Sequence, residues 1–201
     1  MTVALPTART ASPQRQLLVA TALACASAAM VIIGMLAMWL KFRAAAPTRD
    51  SSDGLKIIKD WLPADITIPE VAANVMLITF PIGALMAQWA VYAAKRRDSQ
   101  HKSLAYGVCF VIGLAIVNAQ VAVYSQMDIG LSDGPYQTMF YAITGTMLLF
   151  VLAGMAFSLV AFFRSVGGRN DDVHVATAHA MYWYFLTAVF TVLWFVVYVQ
   201  K

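Results

Sequence analysis

Five long apolar runs separated by short polar segments organise the chain, at residues 16–41, 70–93, 103–124, 138–163 and 174–199. Each is long enough for an α-helix to cross the hydrocarbon core of a bilayer, which takes roughly 20 residues. None alternates apolar with polar residues as a transmembrane strand must. The pattern therefore predicts an all-α polytopic membrane protein, a bundle of five transmembrane helices. Residues 1–15 predict a polar tail ahead of a membrane domain spanning 16–201. The small residues Ala24-Cys25-Ala26 suggest a leader cleavage site, but the apolar run extends far beyond them and predicts a retained helix.

The ends of the runs carry their own punctuation. Lys41-Phe42-Arg43 closes the first with cations at the interface, and Lys95-Arg96-Arg97-Asp98 closes the second. Pro69-Glu70 opens the second, because proline suits a first helical turn and a carboxylate favours the positive end of the helix dipole. Pro81 lies inside that run and removes one backbone hydrogen bond, which predicts a kink. Gly167-Gly168 marks the short turn between the fourth and fifth runs. The longest connection, 44–69, has mixed charge. Its Ile57-Ile58 and Trp61-Leu62-Pro63 are expected at the membrane interface, where an indole ring is comfortable.

Composition changes this picture in one respect: it makes lipid the solvent. The 201-residue chain is 61% hydrophobic and 12% charged, with mean hydropathy +0.70. A soluble domain is nearer about 45–50% apolar and about 25% charged. The net charge of +4 does not point to nucleic acid, since no basic run interleaves with aromatics and the cations sit between the apolar runs. With the N-terminus inside, eight cations fall on the inner face (Arg9, Arg15, Lys95, Arg96, Arg97, Lys102, Arg164, Arg169) and six on the outer (Lys41, Arg43, Arg49, Lys56, Lys59, Lys201). The short connection 125–137 has Asp128 and Asp133 but no Lys or Arg. This predicts a cytoplasmic N-terminus and an external C-terminus.

Candidate chemistry is sparse. An ionisable group inside the membrane is a functional hypothesis by default, yet no Asp, Glu, Lys or Arg lies near the centre of any run. His179, about one turn into the fifth helix, is expected to pack or hydrogen-bond locally, and His101 and His174 are expected in loops. Cys25 and Cys109 lie inside apolar runs and read as small buried residues, neither a disulfide nor a metal pair. Haem or copper requires several converging His or Cys ligands. The residues therefore predict no catalytic group, no cofactor and no metal in this chain, and no titratable relay for a pump or channel. Asn74, Gln88, Asn118, Gln120, Thr144 and Thr187 are candidates for interhelical hydrogen bonds, each worth about 0.6–2 kcal/mol. Ser27, Gly34, Ala37, Gly113, Gly145 and Gly154 are expected to let helices approach closely. Arg164 and the Lys95–Arg97 cluster lie at headgroup level, where anionic lipid binds.

The stretch Ser132 to Gly154, SDGPYQTMFYAITGTMLLFVLAG, resembles the hallmark segment of subunit III of the haem-copper terminal oxidases, SDGxYGSxFFxxTGFHGxHVxxG. Ser132, Asp133, Gly134, Tyr136, Phe140, Thr144, Gly145, Val151 and Gly154 match it. Tyr182-Trp183-Tyr184-Phe185 looks like that family's YWHFVD. The first run resembles SExMFFxGLFAxYxxxR, with Met30, Gly34, Ala37 and Arg43 in register. Trp61-Leu62-Pro63, Asn74, Trp89-Ala90 and Gln120 fit the family's order, so the resemblance spans residues 16–199. Five spans suit the short bacterial forms, which lack the first two of seven helices.

The resemblance implies a non-catalytic subunit in a bacterial plasma membrane. It would pack on the haem-copper subunit I and on subunit II, bind phospholipid, and support the stability and proton uptake of an aerobic respiratory oxidase, with haem and copper in the partner subunits. An accessory subunit of a nitric oxide reductase and a stand-alone small transporter are the alternatives. By the resemblance, Arg43, Asn74, Trp89, Arg96, Gln120, Ser132, Asp133, Tyr136, Arg164, Tyr182 and Trp183 are the lipid or interface candidates. The family's ionisable residues are replaced: Ala28, Val123, Met147, Phe150, Tyr184 and Thr187 stand at their positions.

Overall fold

The structure, a computed structural model, describes residues 13–50, 57–63, 66–127, 130, 134–168 and 172–200. Helices α1 (Pro13–Ala45), α2 (Glu70–Lys95), α3 (Ser99–Met127), α4 (Pro135–Val166) and α5 (Val173–Leu193) follow in order, and α5 continues as a wide π-helical turn, Trp194–Val199. All five are long and apolar enough to cross a membrane. The protein is a multi-pass membrane protein built as a five-helix bundle.

The helices run past their apolar cores because their ends are satisfied by local groups. Asp98 caps α3: its Oδ1 accepts the His101 amide at 3.1 Å, and its carbonyl accepts the Lys102 amide at 3.2 Å. The His101 amide above all, and then the His101 ring, hold the Asp98 carboxyl below its ordinary range. His101 and His174, expected in loops, therefore sit in the first turns of α3 and α5. On the α2 side, the Arg97 amide bonds the Ala94 carbonyl at 3.1 Å and the Asp98 amide bonds that of Ala93 at 3.0 Å. This is the Schellman arrangement that closes helices, and Arg97 fills its left-handed position at φ 57°, a conformation usually given to glycine. Gly168 takes the corresponding conformation after α4, at φ 83°.

Helix α5 packs against α1, α2 and α4, while α3 packs on α2 and α4. Phe80 of α2 stacks on Phe190 of α5 with ring centroids 4.4 Å apart. Glycines set the closest approaches: a Cβ on Gly83 would lie 2.6 Å from the Trp183 ring, and one on Gly154 would lie 3.1 Å from Leu186 and Tyr182. Gly113 backs onto Met155 in the same way. Gly34 and Gly145 meet no other described helix of this chain within 4 Å of where their side chains would be. Helix α2 runs unbroken through Pro81.

Helix α1 is different. In its most apolar 18-residue window 11% of residues are buried, against 33% in each of the other four helices. Among its described side chains, Cys25, Ile32, Leu36 and Trp39 form the buried stripe.

The connection after α1 holds a short antiparallel ribbon, β1 (Thr48–Asp50) on β2 (Ile57–Lys59). A two-stranded ribbon is marginal alone. Here Lys59 Nζ donates to the carbonyls of Ala44 (3.1 Å) and Ala46 (3.2 Å). Arg49 pairs with Asp60 at 3.3 Å and donates to the Leu62 carbonyl at 3.1 Å. Trp61, at the end of the bundle, is 6% exposed and packs against its own chain.

Candidate functional site

The candidate residues fall in three places. The first is the end of the bundle where α1 stops and α4 starts. Tyr136, in the first turn of α4, meets Trp39 of α1 at 5.2 Å and Trp61 at 5.7 Å between ring centroids. Trp39 and Trp61 are themselves 5.1 Å apart, edge to face. Arg43 stands at the end of the same α1 stripe. Its Nε, the indole nitrogens of Trp39 and Trp61 and the Tyr136 hydroxyl are buried without a hydrogen-bond partner. Edge-to-face contact gives indole N–H groups an aromatic face as a weak acceptor. Beside the cluster opens a cleft of about 420 Å³, lined among others by Phe42, Asp60, Trp61 and Tyr136. Asn74 lies towards this end on α2, its Oδ1 accepting from Trp194 Nε1 at 3.2 Å. Ser132 and Asp133 lie outside the described residues.

The second place is the interior seam between α3, α4 and α5. Trp183 Nε1 donates to His179 Nε2 at 3.1 Å and lies 3.3 Å from Ser158 Oγ. Ser158 Oγ is 2.7 Å from His179 Nε2 and donates to the Gly154 carbonyl at 2.9 Å. Two i, i+4 pairs, Gly154/Ser158 and His179/Trp183, thus face each other across two helices. His179 is fully buried, and Tyr106 and Phe157 set their rings edge-on to it at 5.0 and 5.4 Å. The imidazole bonds both locally, to Trp183, and across to Ser158 of the neighbouring helix. One turn further on, the Tyr182 hydroxyl donates to the Phe150 carbonyl at 2.9 Å. Gln120 is buried on α3 with its Nε2 unpartnered. Near it the Tyr124 hydroxyl lies 2.8 Å from Thr144 Oγ1.

The third place is the opposite end. Trp89 meets His101 edge to face at 5.9 Å. The Arg96 guanidinium lies over the Tyr92 ring at 4.3 Å. Arg164 donates from Nε (3.1 Å) and Nη2 (2.7 Å) to Asp172 Oδ2, tying α4 to the start of α5. The structure therefore does not bring the candidates together into one pocket; it distributes them over helix seams and both ends. Ser158 and Trp39 were not singled out in the sequence. A lone serine or tryptophan in an apolar run carries no signal until its neighbours across the seam are known.

Residues 63–201 match the sequence profile described as cytochrome c oxidase subunit III. The chain belongs to the cytochrome c oxidase subunit III family. Among relatives, it is 26% identical over 146 residues to cytochrome c oxidase subunit 3 of Bos taurus, covering 69% of this chain and 54% of that protein. It is 26% identical over 161 residues to a probable cytochrome c oxidase subunit 3 of Rickettsia felis, covering 73% and 56% respectively. The chain thus spans about half the length of the curated relatives it matches.

Helix α1 and the ribbon lie outside the subunit III match. At the positions where the subunit III resemblance places ionisable residues, the structure puts neutral contacts. Val123 and Met147 are buried, and Phe150 packs on Phe185 at 6.2 Å. The Tyr184 hydroxyl donates to Gln88 Oε1 at 3.2 Å. The Thr187 hydroxyl lies within hydrogen-bond reach of the Phe80 (3.1 Å) and Trp183 (2.9 Å) carbonyls.

Proposed function

We propose that this chain is a non-catalytic membrane subunit of a respiratory terminal oxidase. It packs on the haem- and copper-bearing subunit I, with subunit II in the same complex, and carries bound phospholipid. The observation that carries this reading is the subunit III match over residues 63–201. The open face of α1 supports it, because a helix this lightly covered by its own chain leaves room for another protein. The loop charges support a cytoplasmic N-terminus and an external C-terminus in a bacterial plasma membrane, the polar tail 1–15 preceding a membrane domain of 16–201. Arg43, Asn74, Trp89, Arg96, Gln120, Ser132, Asp133, Tyr136, Arg164, Tyr182 and Trp183 act as packing and lipid contacts. Any support of proton uptake operates without a carboxylate from this chain at positions 28, 123 or 187, which are Ala, Val and Thr.

Purification of the tagged chain from native membranes in mild detergent tests the reading. A haem-copper subunit should co-purify, and reduced-minus-oxidised spectra of the preparation should show haem. A native complex without such a subunit would refute it, and turnover of nitric oxide in place of oxygen would reassign the complex. The lone chain in detergent is expected to melt below the complex; equal melting temperatures would count against packing on a partner.

A further inference from the structure

We draw no further inference here: the strongest candidate, the open apolar face of α1 opposite its buried stripe, where Met30 is 75% exposed and Gly34 meets no other described helix of this chain within 4 Å, belongs to the packing surface already proposed, and nothing in the structure shows what covers it.

Discussion

Helices α1 and α5 reverse the usual relation between hydrophobicity and burial. The most apolar window of α1 has mean hydropathy 2.3 and 11% of its residues buried; that of α5 has 1.8 and 33%. In water the greasier helix would be the one inside. In lipid the tails are as apolar as leucine, so hydrophobicity does not choose between a protein neighbour and a lipid neighbour. Close packing and interhelical hydrogen bonds choose. Helix α5 has both: the Trp183 ring closes on Gly83, Phe190 stacks on Phe80, and His179 reaches Ser158. Helix α1 offers one stripe, and its Gly34 faces open space.

The comparison can be broken by substitution, with helix content followed by circular dichroism during thermal melting in detergent. The largest effect is expected for Trp183→Ala, which empties a fully buried ring site and unpairs His179 from its indole donor. A loss of about 3–5 kcal/mol is expected. Close behind, Ile32→Ala on the covered stripe of α1 should cost about 2–4 kcal/mol, whereas Met30→Ala, 75% exposed on the same helix, should change the lone chain by less than about 0.5 kcal/mol. Similar losses for the two α1 variants would mean that α1 has no preferred face and would end the comparison.

These contrasts mark where the sequence was readable. Five spans, their order and the all-helical bundle follow from run length alone, because lipid enforces internal hydrogen bonding on any segment that crosses it. Asp98 as a helix cap was within reach too, since it stands three residues before His101 at the start of an apolar run. The faces were not readable: nearly every position in α1 and α5 is apolar, so no periodicity separates core from lipid. This is why Gly83, against Trp183, went unmarked while Gly34 and Gly145, which meet no other described helix of this chain, were marked for close contacts. The seam Ser158–His179–Trp183 depends on which helices are neighbours, and three of its features lie in two separate runs. Tyr136 is marked by the resemblance, but its ring contacts with Trp39 and Trp61 join three separate segments and carry no signal in the sequence.

Smaller effects sharpen the same contrast. Ser158→Ala removes a buried interhelical bond and should cost about 0.6–1.7 kcal/mol, the range found for such bonds within membranes. No change would mean that the seam is held by ring packing alone. Arg97→Gly should raise stability by about 0.5–1 kcal/mol by relieving the left-handed backbone at the α2–α3 turn, and a lowered melting temperature would contradict that account. The smallest effect is expected from acid. A carboxyl depressed in the folded state stabilises above its unfolded-state value and loses that contribution as pH falls through its folded value. Melting of the wild type should therefore soften slightly more on acidification than melting of Asp98→Asn, a difference that vanishes if the cap is not formed.

The wide turn at Trp194–Val199 gives the carboxyl-terminal end of the bundle an adjustable register. Its i→i+5 bonding accommodates an extra residue relative to an α-turn, and within it the sequence neighbours Val197 and Tyr198 are both buried. A wide turn is what absorbs one extra residue in a helix, so removing one residue from this segment would restore α geometry with the residues after it still on their present faces. The wide turn sets Tyr198 beside Phe140, 6.0 Å away, and Trp194 against Asn74. A single-codon deletion here is thus absorbed by the last turn, whereas the same deletion in an α-helical stretch would turn the rest of its helix by about 100°.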